Sequence, residues 1–210
     1  MIVLSGCVTV SVHSKVNSDG TIESYEVNMT MSEMVYGLMQ RSASQQGYSS
    51  VKEYLLSDIN ESQAKKIEYE EKSSDGNKTV TLRFKNFNPS GNGSISIKKK
   101  DGMMIYKDRT FMGSGNATRQ GSSSKIQVEY KLTMPGKIKN STADSVDGNT
   151  ATWELSGSSE SRMIYAKSEI SSGLGLLAIA GIGIGGLLII AIAIGAFLFY
   201  RSDGLSINSV

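Results

Sequence analysis

The 210-residue chain has one histidine, one cysteine and one tryptophan. With a lone Cys7 no disulfide can close within the chain, and with a lone His13 no Cys/His zinc centre or histidine cluster can form. A Ser-His-Asp triad would have to use His13 as its base, and no nucleophile is marked beside it. Glycine-rich phosphate loops are missing, no carboxylate pair stands out by spacing, and there is no internal repeat. The aromatics form no stacking motif, so nucleic acid is not an expected partner. Neither a catalytic centre nor a cofactor or metal site is expected from these residues.

The hydrophobic residues, 39% of the chain, are unevenly placed: 21 of them fall within the 28 positions 173–200, which contain no charge. As a helix that stretch would reach roughly 42 Å against a hydrocarbon core of about 30 Å. It reads as one C-terminal transmembrane helix, closed by Phe197, Phe199, Tyr200 and Arg201 at the interface. Gly181 and Gly185 form a GxxxG pair, which reads either as a homodimer contact or as the ordinary glycine content of a membrane helix. Residues 201–210 are left as a short cytoplasmic tail.

At the other end Leu4-Ser5-Gly6-Cys7 matches a bacterial-type lipobox, whose cysteine thiol would be acylated. Residues 1–7 then read as the end of a signal peptide, and residues 8–172 as an extracytoplasmic domain. An unmodified cysteine starting a strand of a cytosolic, tail-anchored protein is the alternative. Eleven asparagines and 44 serines plus threonines give about two chance N-x-S/T sequons. The chain has six, at Asn28, Asn60, Asn77, Asn92, Asn116 and Asn140, as suits an outward-facing, glycosylated surface.

The domain itself is punctuated by Asp-Gly steps at Asp19, Asp75, Asp101 and Asp147, each a hairpin signal between strand-like runs. A turn at Asp19 pairs Val12 with Val27 and Val10 with Met29 on one face, leaving His13 and Glu26 on the other. A turn at Asp75 sets Tyr69 opposite Leu82 and Glu68 opposite Arg83, and one at Asp101 brings Ile97 opposite Tyr106. Thr30 to Glu33 and Ser50 to Glu53 fit capping boxes, each followed by apolar residues at helical spacing. The expected fold is α+β, an antiparallel sheet of hairpins with two short helices on one face. Because Val8 already belongs to the first hairpin and the last strand stops just short of Gly173, both ends of the domain are expected at one membrane-facing pole.

The run Leu132-Thr133-Met134-Pro135-Gly136-Lys137-Ile138, the later Val146 to Leu155, and the opening Gly6-Cys7-Val8-Thr9-Val10 with its Asp19-Gly20-Thr21 turn together resemble the LppM-type envelope lipoproteins. The resemblance spans most of the chain. It implies an anchored extracytoplasmic α+β domain and no catalytic residues.

Charge is uneven although the total is only +2. Residues 78–139 hold thirteen lysines and arginines against three acids, while residues 8–77 are net acidic. Lys98, Lys99 and Lys100 are therefore candidates for meeting anionic headgroups or an envelope glycolipid or polymer, with solvated edge lysines as the bland alternative. Met29, Met31, Met34 and Met39 cluster across the first hairpin and helix. They read as ordinary core or as a deformable lining for acyl chains, and Cu(I) ligation is disfavoured without a His or Cys partner. The expected function is a non-enzymatic, single-pass envelope protein facing outside, whose domain binds a membrane lipid or other anionic component. The alternative is a structural or protein-interaction module dimerising through its membrane helix.

Overall fold

The computed structural model describes residues 8–57, 59, 61–89, 94–110, 126–155 and 162–170. The expected membrane segment 173–200 with Gly181 and Gly185, the tail 201–210, Cys7, and the sequons at Asn60, Asn92 and Asn116 lie outside the described residues. Among those described, no helix is long and apolar enough to cross a membrane.

The chain runs β1 (Val8–Val16), β2 (Ile22–Ser32), α1 (Glu33–Gln45), α2 (Val51–Leu56), α3 (Glu61–Ala64), β3 (Glu68–Ser74) and β4 (Asn77–Phe87). It continues through β5 (Ile95–Lys100), β6 (Met103–Asp108), β7 (Ile126–Thr133), β8 (Ile138–Ser141), β9 (Ser145–Asp147), β10 (Thr150–Glu154) and β11 (Ile164–Glu169). The expected hairpin registers form: Val12 with Val27, Val10 with Met29, Tyr69 with Leu82, Glu68 with Arg83, and Ile97 with Tyr106. Two of the Asp-Gly steps take the backbone a tight type I′ turn needs, with φ of 51° and 74° at Asp75 and Gly76, and 53° and 71° at Asp101 and Gly102.

The architecture differs from the expected α+β arrangement. Strands hold 56% of the described residues and helices 17%, and the strands form two sheets. The larger has the order β3-β4-β2-β1-β7-β10-β9, and the smaller β5-β6-β11-β8. The larger is not wholly antiparallel, because β1 and β7 pair in parallel, Val8 opposite Ile126 through Lys15 opposite Thr133. The physical reason is that a two-residue turn sets the register of its own hairpin and nothing beyond it. Which sheet a hairpin joins depends on how apolar faces are covered.

One face of the large sheet carries the core: Val10, Val12, Met29, Val80, Leu82, Tyr130 and Trp153 are all buried. The helices pack at the β2–β4 side, where Tyr36 of α1 donates to Glu71 of β3 at 2.6 Å. The small sheet covers the β1–β7–β10 side, with Tyr106 meeting Tyr130. A single sheet of all the hairpins with only two short helices would leave half of that apolar face wet. Three helices form rather than two. The first capping box is also shifted, since Thr30 stays in β2 and Ser32 caps α1, its Oγ accepting from the Val35 amide. At α2, Ser50 accepts from the Glu53 amide as expected, while the Glu53 carboxylate reaches the Ser49 amide and hydroxyl.

The ends of the described domain lie at opposite poles. Val8 marks one end of the β1–β7 pair and Lys15 beside Thr133 the other. The Glu169 amide donates to the Lys137 carbonyl, and the Ile138 amide to Gly148, next to the Thr133–Thr150 pair. β11 thus ends near the Lys15 end of β1, about 25–30 Å along the strands from Val8, which corrects the one-pole expectation.

At Gly76 a Cβ would meet no atom within 4 Å, so the only obstacle to a side chain there is φ of +74°. Gly76→Val is expected to destabilise the domain by about 1–2 kcal/mol and Gly76→Asn by distinctly less. Urea unfolding of the two variants checks this, and equal losses would show that the turn is not held in the left-handed region.

Candidate functional site

Strand alternation sorts the exposed charges into two unlike faces. On the outer face of the large sheet most cations are matched: Arg83 Nε lies 2.6 Å from Glu26, Lys85 2.7 Å from Glu68, and Lys15 2.8 Å from Glu23, while Lys131 stands beside His13 and Thr152. Thr30 with Thr79 and Asn28 with Thr81 continue the polar ladder. Glu26 is held below the ordinary glutamate value by hydrogen bonds from Asn28 and Arg83 and by their charge environment, against the opposing effect of partial burial. His13 sits opposite Glu26, a cross-strand neighbour with nothing nucleophilic in the pair.

The outer face of the small sheet is different. Its inner residues are Ile95, Met104, Tyr106, Asp108, Ile164 and Ala166, all buried, so register sends the alternate set outward in cross-strand rows. These rows are Ser96–Lys107–Tyr165, Lys98–Ile105–Lys167–Asn140 and Lys100–Met103–Glu169. Lys139 joins them through its ion pair with Glu169 at 2.8 Å. Five lysines therefore share this face with one glutamate. Among the described residues no carboxylate comes within ion-pair distance of Lys98, Lys100, Lys107 or Lys167, and Lys107 Nζ lies 5.9 Å from the centre of the Tyr165 ring.

The three consecutive lysines do not act as one patch. Lys98 and Lys100 face outward, whereas Lys99 pairs with buried Met104 and turns to the other side, over the first hairpin turn. A Cβ on Gly20 would stand 3.5 Å from Lys99 Cε. Asp19 in that turn is pushed up by partial burial, but the Thr21 hydroxyl and amide and the charge of Lys99 outweigh this and leave it below the usual Asp value. Lys107, Lys139 and Lys167 complete the face, and no run of lysines in the sequence marks them. Their signal was available in the alternation of Met103 to Asp108 and Ile164 to Glu169, but only once the two strands are known to be neighbours.

The methionines divide too. Met29, Met31 and Met39 are buried in the main core cluster, while Met34 is 52% exposed and does not join them. Of the described sequons, Asn77 and Asn140 are exposed. Asn28 is half-buried in the middle of β2, its amide committed to Glu26 and Thr81.

A buried polar cluster lies between the sheets. Asp108 accepts from the Thr110 amide at 2.8 Å, from its hydroxyl, and from Tyr130 OH at 3.1 Å. Tyr130 and Tyr106 hydroxyls are 2.6 Å apart. The three side chains thus form a continuous hydrogen-bonded chain across the sheet junction. Burial pushes the Asp108 carboxyl above its ordinary value, and the donations from Thr110 and Tyr130 only partly offset it. Burial likewise raises Tyr106 and Tyr130 far above theirs. Among the described residues no group of His, Cys, Asp or Glu side chains could hold a metal ion.

No protein-family model matches the chain. An uncharacterised protein of Archaeoglobus fulgidus is 39% identical over 196 residues, which cover 89% of this chain and 90% of that protein. The chain belongs to the family of that archaeal protein. Among solved structures, the folded domain of Mycobacterium tuberculosis LppM, determined by NMR, is similar with a TM-score of 0.46 and 13% identity, over 80% of this chain and 93% of that one. So distant a likeness carries no argument, and the fold described above stands on its strand pairing.

A carboxyl raised in the folded state contributes stability that is full below the ordinary Asp value and is lost as pH rises through the raised one. Asp108→Asn removes that loss while keeping an acceptor for Thr110. The variant is expected to lose less stability than the wild type between acid and neutral pH, as read by urea unfolding across a pH series. Identical pH profiles would mean that Asp108 is not the group responsible. Tyr130→Phe, which removes the 2.6 Å partner of the Tyr106 hydroxyl and one donor to Asp108, is expected to destabilise by about 1–3 kcal/mol.

Proposed function

We propose that this chain is a membrane-associated, non-catalytic protein of the cell envelope whose outward-facing domain binds an anionic envelope component, a lipid headgroup or a polymer. The observation that carries this reading is the outer face of the small sheet, where, among the described residues, five lysines meet a single glutamate while most cations of the other sheet are paired with neighbouring carboxylates. Anchoring through the uncharged segment 173–200 and acylation of Cys7 belong to the same proposal, supported by residue type and spacing. Binding is assigned to the surface and not to an acyl-lined interior, because Met29, Met31 and Met39 are packed core. That closed packing equally suits the second reading, a protein-interaction module whose lysines are only solvated edge residues.

Lysine dependence separates the two. The full chain in neutral detergent is titrated with dextran sulfate and with micelles containing phosphatidylglycerol, at low salt. Changing Lys98, Lys100 and Lys107 together to Ser is expected to weaken binding roughly tenfold or more, and Lys99→Ser to have a small effect. Binding unchanged by the triple substitution puts the interaction module ahead.

A further inference from the structure

We propose that the outer face of the β5-β6-β11-β8 sheet lies flat on an anionic phospholipid bilayer, with its lysines at headgroup depth and Met103, Ile105 and Tyr165 turned toward the interfacial layer. This rests on the reading just given and goes beyond it by naming the bilayer as the partner and setting the orientation of the domain.

Composition of the face favours a bilayer over a soluble polymer. Ile105 sits between Lys98 and Lys167, Met103 beside Lys100, and Tyr165 beside Lys107. A hydrated polyanion would engage the lysines and gain little from the half-buried apolar groups between them. A bilayer offers both layers at once: anionic headgroups to the ammonium ends, and an interfacial zone in which tyrosine and aliphatic side chains are favourable. Lysine stems can lie along the apolar groups while their ends stay at the phosphates.

Topology points the same way. β11 is an interior strand of this sheet and ends at Glu169, where the Ile170 amide donates to the Gly102 carbonyl of the β5–β6 turn. The uncharged stretch begins at Gly173. Three residues span at most about 10 Å, so a bilayer that receives this stretch lies within that distance of the sheet. The domain could still stand on that pole or lie down. Standing would hold Val8 some 25–30 Å away along β1, out of reach of a lipid on the adjacent Cys7, whereas lying down on the small sheet leaves Val8 about one sheet spacing, roughly 10 Å, above that sheet's plane. Two broad strand faces could then lie against the membrane, and only the small sheet's outer face carries a surplus of positive charge.

The full chain with Cys7→Ser, and a single fluorophore-labelled cysteine replacing Ser96 on the small sheet's outer face or Thr9 on the large sheet's outer face, is reconstituted into two kinds of vesicle. One is phosphatidylcholine alone and the other equal parts phosphatidylcholine and phosphatidylglycerol, each containing a nitroxide-headgroup lipid as quencher. The Ser96 label is expected to be quenched about twofold more strongly in the anionic vesicles than in the neutral ones, a difference lost at high salt and on changing Lys107 and Lys167 to Ser. The Thr9 label is expected to be indifferent to composition. Equal quenching of the Ser96 label in both vesicles, or parallel gains at Ser96 and Thr9, overturns face-down docking. If dextran sulfate binding nevertheless depends on the lysines, the anionic-binding reading survives without the bilayer. If neither dextran sulfate nor phosphatidylglycerol micelles bind in a lysine-dependent way, both fall together.

Discussion

The hydrogen-bonded chain from Tyr106 through Tyr130 to Asp108 is the constraint on which the two-sheet arrangement depends. Apolar contacts between two sheet faces can be repacked at modest cost, but a buried carboxyl must keep its donors. Asp108 and Tyr106 belong to β6 and Tyr130 to β7, so satisfying the carboxyl fixes the small sheet at one position on the large one. The surrounding rings reinforce that position: Tyr130 meets Trp153 and Tyr25 edge-on, at 5.8 and 6.4 Å between ring centres, and Tyr25 leads on to Phe84 and Phe87. Contacts of this geometry are favourable beyond the area they bury. The aromatic row crosses β10, β7, β2 and β4, tying the half of the large sheet beneath the small sheet to the half beneath the helices.

Docking the small sheet in this way also determines what the domain shows to its surroundings. With one face of β5, β6 and β11 buried, the period of two sends Lys98, Lys100, Lys107 and Lys167 outward together. The acidic residues of the N-terminal half meanwhile pair with Arg83, Lys85 and Lys78 on the other sheet. In a chain with a formal charge of only +2, the described residues thereby gather four lysines without a carboxylate partner on one face of the small sheet. The same packing carries β11 to the pole opposite Val8, so the route of the chain and the direction of its charge follow from one arrangement.

Much of the local structure was legible. Four Asp-Gly steps marked four turns, and apolar-polar alternation fixed the pairings within the first three hairpins to the residue, because one face of each is apolar and a slip by one position would expose it. Helix starts were legible to within a turn. At Ser32 the competing Thr30 lost because it pairs with Thr79 inside the sheet, a partner 49 residues away that no capping motif can reveal. The basic tract was legible as composition. Lys98, Lys99 and Lys100 are a unit only in composition, because adjacent residues on a strand point to opposite sides. Asp108 continues the alternation of Met104 and Tyr106, which directs its carboxyl inward.

By itself, then, the sequence determined the elements that depend on near neighbours: hairpins, their registers, the second helix cap, the uncharged C-terminal stretch and the excess of lysine in the middle of the chain. Only the tertiary structure decided that the strands divide between two sheets, that β1 and β7 run parallel, which lysines share a face, and at which pole each end emerges. Each of these follows from contacts between residues far apart in the chain, such as Tyr106 with Tyr130 or Glu169 with Lys137. They are settled by the competition to cover apolar surface and satisfy buried polar groups, and local propensity carries no information about its outcome.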